Sequence, residues 1–166
     1  MILGLKIRTE YSFRIAFGHL TRILELAEPN SSIAIVDRHG TWGHVPYRDA
    51  AKKAGIRPAF GVELAIVADA ERKERQPENF MSFIARNQAG LEELYDLVTM
   101  ATRRFYYNPR LDYDDLSGIS RNIAILAGAN PDWLRIPRKS HVYVELGPSS
   151  PPNAVRMARK LKLKTV

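Results

Sequence analysis

The chain has 166 residues, 45% hydrophobic and 26% charged, enough to bury the core of one domain and too apolar for a disordered chain. It contains no cysteine, which excludes disulfide frameworks, thiolate zinc sites and cysteine nucleophiles, and no signal-like or membrane-spanning apolar run, so a cytoplasmic protein is expected. A net charge of +7 and a sequence pI near 9.8 favour an anionic partner such as nucleic acid without naming any chemistry.

Ile2–Ile7 reads as a strand whose alternation puts Leu3, Leu5 and Ile7 on one face and Gly4, Lys6 and Arg8 on the other. Such a face is either a solvated edge or one that meets carboxylates. Leu20, Ile23, Leu24 and Ala27 fit one face of a helix. Ile33–Val36 is a second strand, followed by Asp37, Arg38, His39 and a glycine-bracketed turn that ends at His44. The stretch "PYRDAAKKAGIRP" predicts a helix with lysines in its last turn, Gly55 as its stop and Pro58 beyond. A third strand, Val62–Val67, carries the lone carboxylate of Glu63 in an apolar run, where charge is costly unless paired. "DAERKERQPEN" reads as a solvated loop before a strand at Phe80–Ala85 and a helix built on Leu91, Leu94, Tyr95 and Val98. Strands are further expected at Ile123–Ala127, Val142–Leu146 and Leu161–Val166, with "GANPDWLRIPRKSH", broken by Pro131 and Pro137, as a surface insertion. Strand–helix alternation argues for one α/β domain over residues 1–166 with parallel strands covered by helices, as an open doubly wound sheet or a closed barrel.

In such folds working groups gather where strands end. Asp37 either caps the next helix or pairs with Arg38, or else joins His39 and His44 in holding a divalent metal or moving protons. "TRRFYYNPRLDYDDL" interleaves aromatics and cations, so Arg103, Arg104, Tyr106, Tyr107 and Arg110 are candidates for contacting a nucleic-acid strand; the alternative is a packed aromatic turn. Phosphate-binding glycine loops, nucleophile elbows and zinc-helix signatures do not occur.

Taken in order, "TEYSF", "AIVDRHGTWG", "AAKKAGIRPAFGVEL", "FIARNQAGLEELYDLV", "FYYNPRLDYDDL" and "VYVEL" followed by "NAVRMARKLKLKTV" resemble the PHP (polymerase and histidinol phosphatase) domain that opens bacterial DNA polymerase III alpha subunits. The resemblance runs from Leu5 to Val166. It implies a distorted barrel of seven parallel strands, here truncated at its C-terminal end, and in active members a metal cluster that hydrolyses phosphoesters with metal-activated water. By the same resemblance, Lys6 and Arg8 stand where the family has a His-x-His pair. Arg38, or with one gap His39, stands at a further histidine; Phe80 replaces another, Ala129 lies in a segment that often carries cysteine, and Glu63 matches an acid.

Neither lysine nor arginine is an ordinary metal ligand at neutral pH. The expectation is therefore an inactivated centre in which Lys6 and Arg8 pair with Asp37 and Glu63, with no metal and no cofactor. Removing a cation from that cluster is expected to destabilise more than neutralising Glu63. The function expected is a non-catalytic module of a replication machine, with a replicative polymerase chain, a proofreading exonuclease, DNA or a second copy as partner. The partner is expected to dock near Ile2–Ile7 and Leu161–Val166. The alternatives are a phosphoesterase or 3'-5' exonuclease using Asp37, His39 and Glu63 with zinc or manganese, and a single-strand binder.

Overall fold

A computed structural model describes residues 2–128, 132, 134–139, 141–147, 150 and 152–166, the side chains of Ile2 and Leu3 excepted. Its strands are β1 (Ile2–Ile7), β2 (Ser32–Arg38), β3 (Arg57–Val67), β4 (Asn79–Ala85), β5 (Arg110–Asp112), β6 (Ile123–Ala127), β7 (Val142–Val144) and β8 (Lys164–Thr165). The helices are α1 (Leu20–Glu25), α2 (His44–Ala54), α3 (Gln88–Arg103) and α4 (Ala154–Lys160). Gly55 ends α2 at φ 67°, its N–H bonded to the Ala51 and Lys52 carbonyls, and the Asn87 side chain caps α3 by accepting from Gly90 N at 2.8 Å.

All eight strands form one sheet in the order β1-β2-β3-β4-β6-β7-β8, with β5 also paired to β3. The expected all-parallel barrel of seven strands is corrected to a mixed, curled half-barrel: β4 runs antiparallel to both β3 and β6, while the remaining pairs are parallel. The reason lies in the β3–β4 connection. Residues 68–78 contain no helix, and a parallel return needs a crossover long enough to travel back along the sheet, whereas an antiparallel return needs only a loop. The eleven residues of β3 serve three neighbours. Ser32–Arg38 pairs along its first part, β5 along its last three residues on that same edge, and β4 along the other edge. The three residues of β5, "RLD", carry no periodicity that would mark a strand within the aromatic turn.

Alternation sorts the side chains. On the convex face Ile33 and Ile35 meet Leu20, Leu24, Tyr47 and Ala51 of α1 and α2. Val62, Leu64, Ile66, Met81, Phe83, Ile123 and Ile125 meet Leu94, Leu97 and Ala101 of α3. The concave face is thinner, with Ala34, Val36, Ile84 and Leu126 as its apolar floor. Leu161 and Leu163 are buried with Val142, Val144 and Ala158, while Leu5 and Val166 remain exposed. Among the described residues no helix is long and apolar enough to cross a membrane.

Candidate functional site

The concave face becomes polar where β1 and β2 end. Glu63, on β3 and 1% exposed, receives three cations: Lys6 Nζ at 2.7 Å, Arg8 Nη2 at 2.8 Å from both carboxylate oxygens, and Arg38 Nε at 2.6 Å. Lys6 and Arg8 reach it from β1 and the residue after it, and Arg38 is its cross-strand partner on β2. Lys6 Nζ also bonds Glu145, just past β7, at 2.8 Å, so one ammonium ties together three strands that the curl of the sheet brings close. Burial alone would raise the Glu63 carboxyl, but hydrogen bonds and charge from Lys6, Arg38 and Arg8 outweigh it and hold the group below the usual carboxylate range.

Asp37, fully buried one residue before Arg38, is held differently. Its Oδ1 accepts from Thr9 N and Ser12 Oγ, each at 2.7 Å, and its Oδ2 from Thr9 Oγ1 at 2.8 Å. Ser12 Oγ in turn accepts from Arg38 N at 3.1 Å. Asp37 thus pairs with none of the cations expected for it and caps no helix; it folds the chain after β1 against the end of β2. Gly43 has to be glycine here, because a Cβ would lie 2.8 Å from Asp37 Oδ2 and 3.0 Å from the Tyr11 ring.

His39 leaves β2 in the left-handed region, φ 69°, and donates its N–H to Glu63 O at 2.8 Å. Burial, then the neighbouring Arg38 charge, lower its pKa, and its Nδ1 is buried without a partner. His44 does not join Asp37 in any proton-moving pair. Its Nε2 lies 3.1 Å from the Gly61 carbonyl and its Nδ1 3.3 Å from the Tyr95 hydroxyl, and burial lowers its pKa, so a neutral ring stitches α2 to β3 and α3. Phe80 packs against Arg38, whose guanidinium carbon stands 4.0 Å from the ring centroid, and edge-on to His39 at 5.8 Å. Ala129 lies outside the described residues.

The aromatic-basic turn is largely internal. Arg110 is 2% exposed and donates to the backbone carbonyls of Arg72, Glu74 and Arg104 while resting 5.0 Å over Tyr106. Arg104 pairs with Asp115 at 2.6 Å and Glu71 at 2.7 Å. Of the five candidates only Arg103 and Tyr107 are exposed. Arg110 and Arg104 therefore pin the 68–78 loop.

The residues present do not fit a metal cluster. Cations occupy three positions around Glu63, both Asp37 oxygens already accept neutral donors, and among the described residues no three His, Cys, Asp or Glu side chains converge. Sequence reasoning missed Glu145, Thr9 and Ser12. Each is ordinary in its own segment, and only proximity to Lys6 or Asp37 marks it.

Fold and site together define an α/β half-barrel with a polar, charge-compensated mouth at the carboxyl ends of its parallel strands. The PHP domain model matches residues 4–162, and the chain belongs to that family. The DNA polymerase III subunit alpha of Borreliella burgdorferi is 29% identical over 127 residues, covering 72% of this chain and 11% of that protein. Its counterpart in Helicobacter pylori strain J99 is 32% identical over 126 residues, covering 72% of this chain and 10% of that one. The chain therefore spans a small fraction of the length of these curated relatives. Among solved structures it is similar to a protein of Bifidobacterium adolescentis described as a metal-dependent phosphoesterase, at TM-score 0.56 and 10% identity over 96% of this chain and 84% of the other. At that identity the likeness concerns the fold.

Proposed function

We propose that this chain is a non-catalytic PHP module of a DNA replication machine, in which a salt-bridge network stands in for a metal centre and the domain serves a replicative polymerase chain or its proofreading exonuclease as a structural, partner-binding part. The observation that carries the reading is the convergence of Lys6, Arg8 and Arg38 on Glu63. A metal supplies positive charge together with an activated water. Three side-chain cations supply the charge alone, and a guanidinium has no lone pair with which to hold a metal. The replication setting is supported by relatives named as DNA polymerase III alpha subunits. In this reading the partner meets the loops after β1 and β2, where Phe13 and Trp42 pack together at 5.8 Å while remaining 67% and 57% exposed.

Elemental analysis of the purified protein and a nuclease assay with added manganese test the proposal. The expected result is no stoichiometric zinc or manganese and no phosphatase or nuclease activity. One bound metal per chain, with activity that disappears in Asp37→Ala, would replace it with a reduced-site phosphoesterase or 3'-5' exonuclease. Co-purification with a polymerase chain, weakened by Phe13→Ser with Trp42→Ser, tests the partner face.

A further inference from the structure

The net charge of this protein is not spread over it. Residues 1–132 carry 17 basic and 17 acidic side chains and so are neutral, whereas residues 133–166 carry eight basic side chains and a single acid, Glu145. That acid is bound to Lys6 at the mouth, so it does not offset the cations elsewhere in the segment. The fold then gathers five of the eight. Arg138 and Lys139, on the approach to β7, and Lys160, Lys162 and Lys164, around the turn from α4 into β8, line one groove of about 360 Å³ with no acidic side chain among its lining residues. Lys139 is partly committed, its Nζ bonded to the Ser117 and Ile119 carbonyls, while Arg138, Lys160, Lys162 and Lys164 are exposed.

Because β7 and β8 run parallel to β1–β3, this groove lies at the amino ends of the parallel strands, the opposite end from Glu63. It is a separate surface and does not depend on what occupies the mouth. Like charges gathered in one groove repel one another; the fold offsets this in part, with Lys139 bonded to two carbonyls, Lys164 5.8 Å from the Tyr143 ring centroid and Lys160 in the last turn of α4, where a cation is favoured. The two apolar residues that line the groove, Leu161 and Leu163, are buried, and among the described residues no exposed aromatic ring lines it for base stacking.

We infer that this groove binds the phosphate backbone of a nucleic-acid duplex, without sequence preference, through Arg138, Lys160, Lys162 and Lys164. Neutralising four phosphates predicts that log K falls with log salt at a slope of about −3 to −4. The test is fluorescence anisotropy of a short random-sequence DNA duplex titrated with the full chain across a salt series. The combined variant Lys160→Gln, Lys162→Gln, Lys164→Gln is expected to lower the magnitude of the slope by roughly three, at about one per lost phosphate contact. Arg138→Gln with Lys160→Gln, on two different segments, should lower it by roughly two on the same basis. A control with equal charge loss elsewhere, Lys52→Gln, Lys53→Gln and Arg121→Gln, should leave most of the affinity in place. Equal weakening by groove and control variants would reduce the effect to net charge and overturn the site. So would a duplex that is ignored while phosphatidylserine-containing vesicles are bound through the same four residues.

Discussion

Asp37 and Glu63 sit on neighbouring strands, one residue out of register, and both are buried carboxylates. The fold satisfies them by opposite means. Glu63 is met by charge from side chains 18% to 30% exposed, on β1, β2 and the end of β1, and the network extends to Glu145. Asp37 is met by a backbone amide and two hydroxyls, all from one loop of four residues. The difference teaches what each acid does. Long cations reaching inward from several strands hold together a sheet that does not close by strand pairing alone; short neutral donors fix a single loop in one conformation. Only the first arrangement gathers formal positive charge on the concave face.

That contrast can be broken experimentally, and the largest effect should come from Glu63→Gln. It removes the common partner of three cations, and loss of one side of a buried ion pair costs about 3–5 kcal/mol, with the lower figure expected because these cations are partly hydrated. Denaturant melts measure it; a midpoint close to that of the parent protein would mean the cations are independent of the acid. Next, Asp37→Asn should cost roughly 1–2 kcal/mol, since an amide keeps one acceptor but turns a donor toward Thr9 and Ser12. Hydrogen exchange should localise that loss to residues 9–12, and a global loss matching the Glu63 variant would erase the distinction between the two acids.

Lys6→Met should cost less than Glu63→Gln, about 1 kcal/mol, because Arg8 and Arg38 still compensate the carboxylate. This reverses the order the sequence suggests, where one carboxylate facing one cation makes the lost cation the graver change. Paired melts of the two variants decide it. The smallest effect is in acid. Because the Glu63 pKa is lowered in the folded protein, its contribution is present above the ordinary value of 4.5 and is lost as pH falls from there through the folded value. The parent protein should therefore lose stability more steeply below pH 4.5 than Glu63→Gln does, and parallel pH profiles would show that Glu63 carries no differential proton affinity.

Much of this was legible along the chain. The alternation of Gly4, Lys6 and Arg8 already aimed two cations one way, and the isolation of Glu63 in an apolar run already required a positive partner; the structure brings them together. The helix stop at Gly55 and the apolar face of α1 follow from local periodicity and backbone freedom at one residue, whereas α3 buries Leu94, Leu97 and Ala101 and leaves Tyr95, expected on its apolar face, 41% exposed. In the aromatic-basic turn the same letters serve two purposes. Arg110 has the composition of a phosphate contact, yet it is walled in by three carbonyls supplied by residues 72, 74 and 104.

By itself, the sequence determined an α/β chain, two cations on one face of β1 and the positions of most elements, since these depend on periods of two and 3.6 residues and on residue chemistry. The tertiary structure alone decided the direction of β4, the partners of Asp37, the bond from Lys6 to Glu145 and the gathering of the C-terminal lysines into one groove. Strand direction depends on the route of a loop that has no period. The Lys6–Glu145 bond depends on how far the sheet curls, a sum of small twists along many residues that no single stretch of sequence encodes; the other two depend on how connecting segments pack against neighbouring strands.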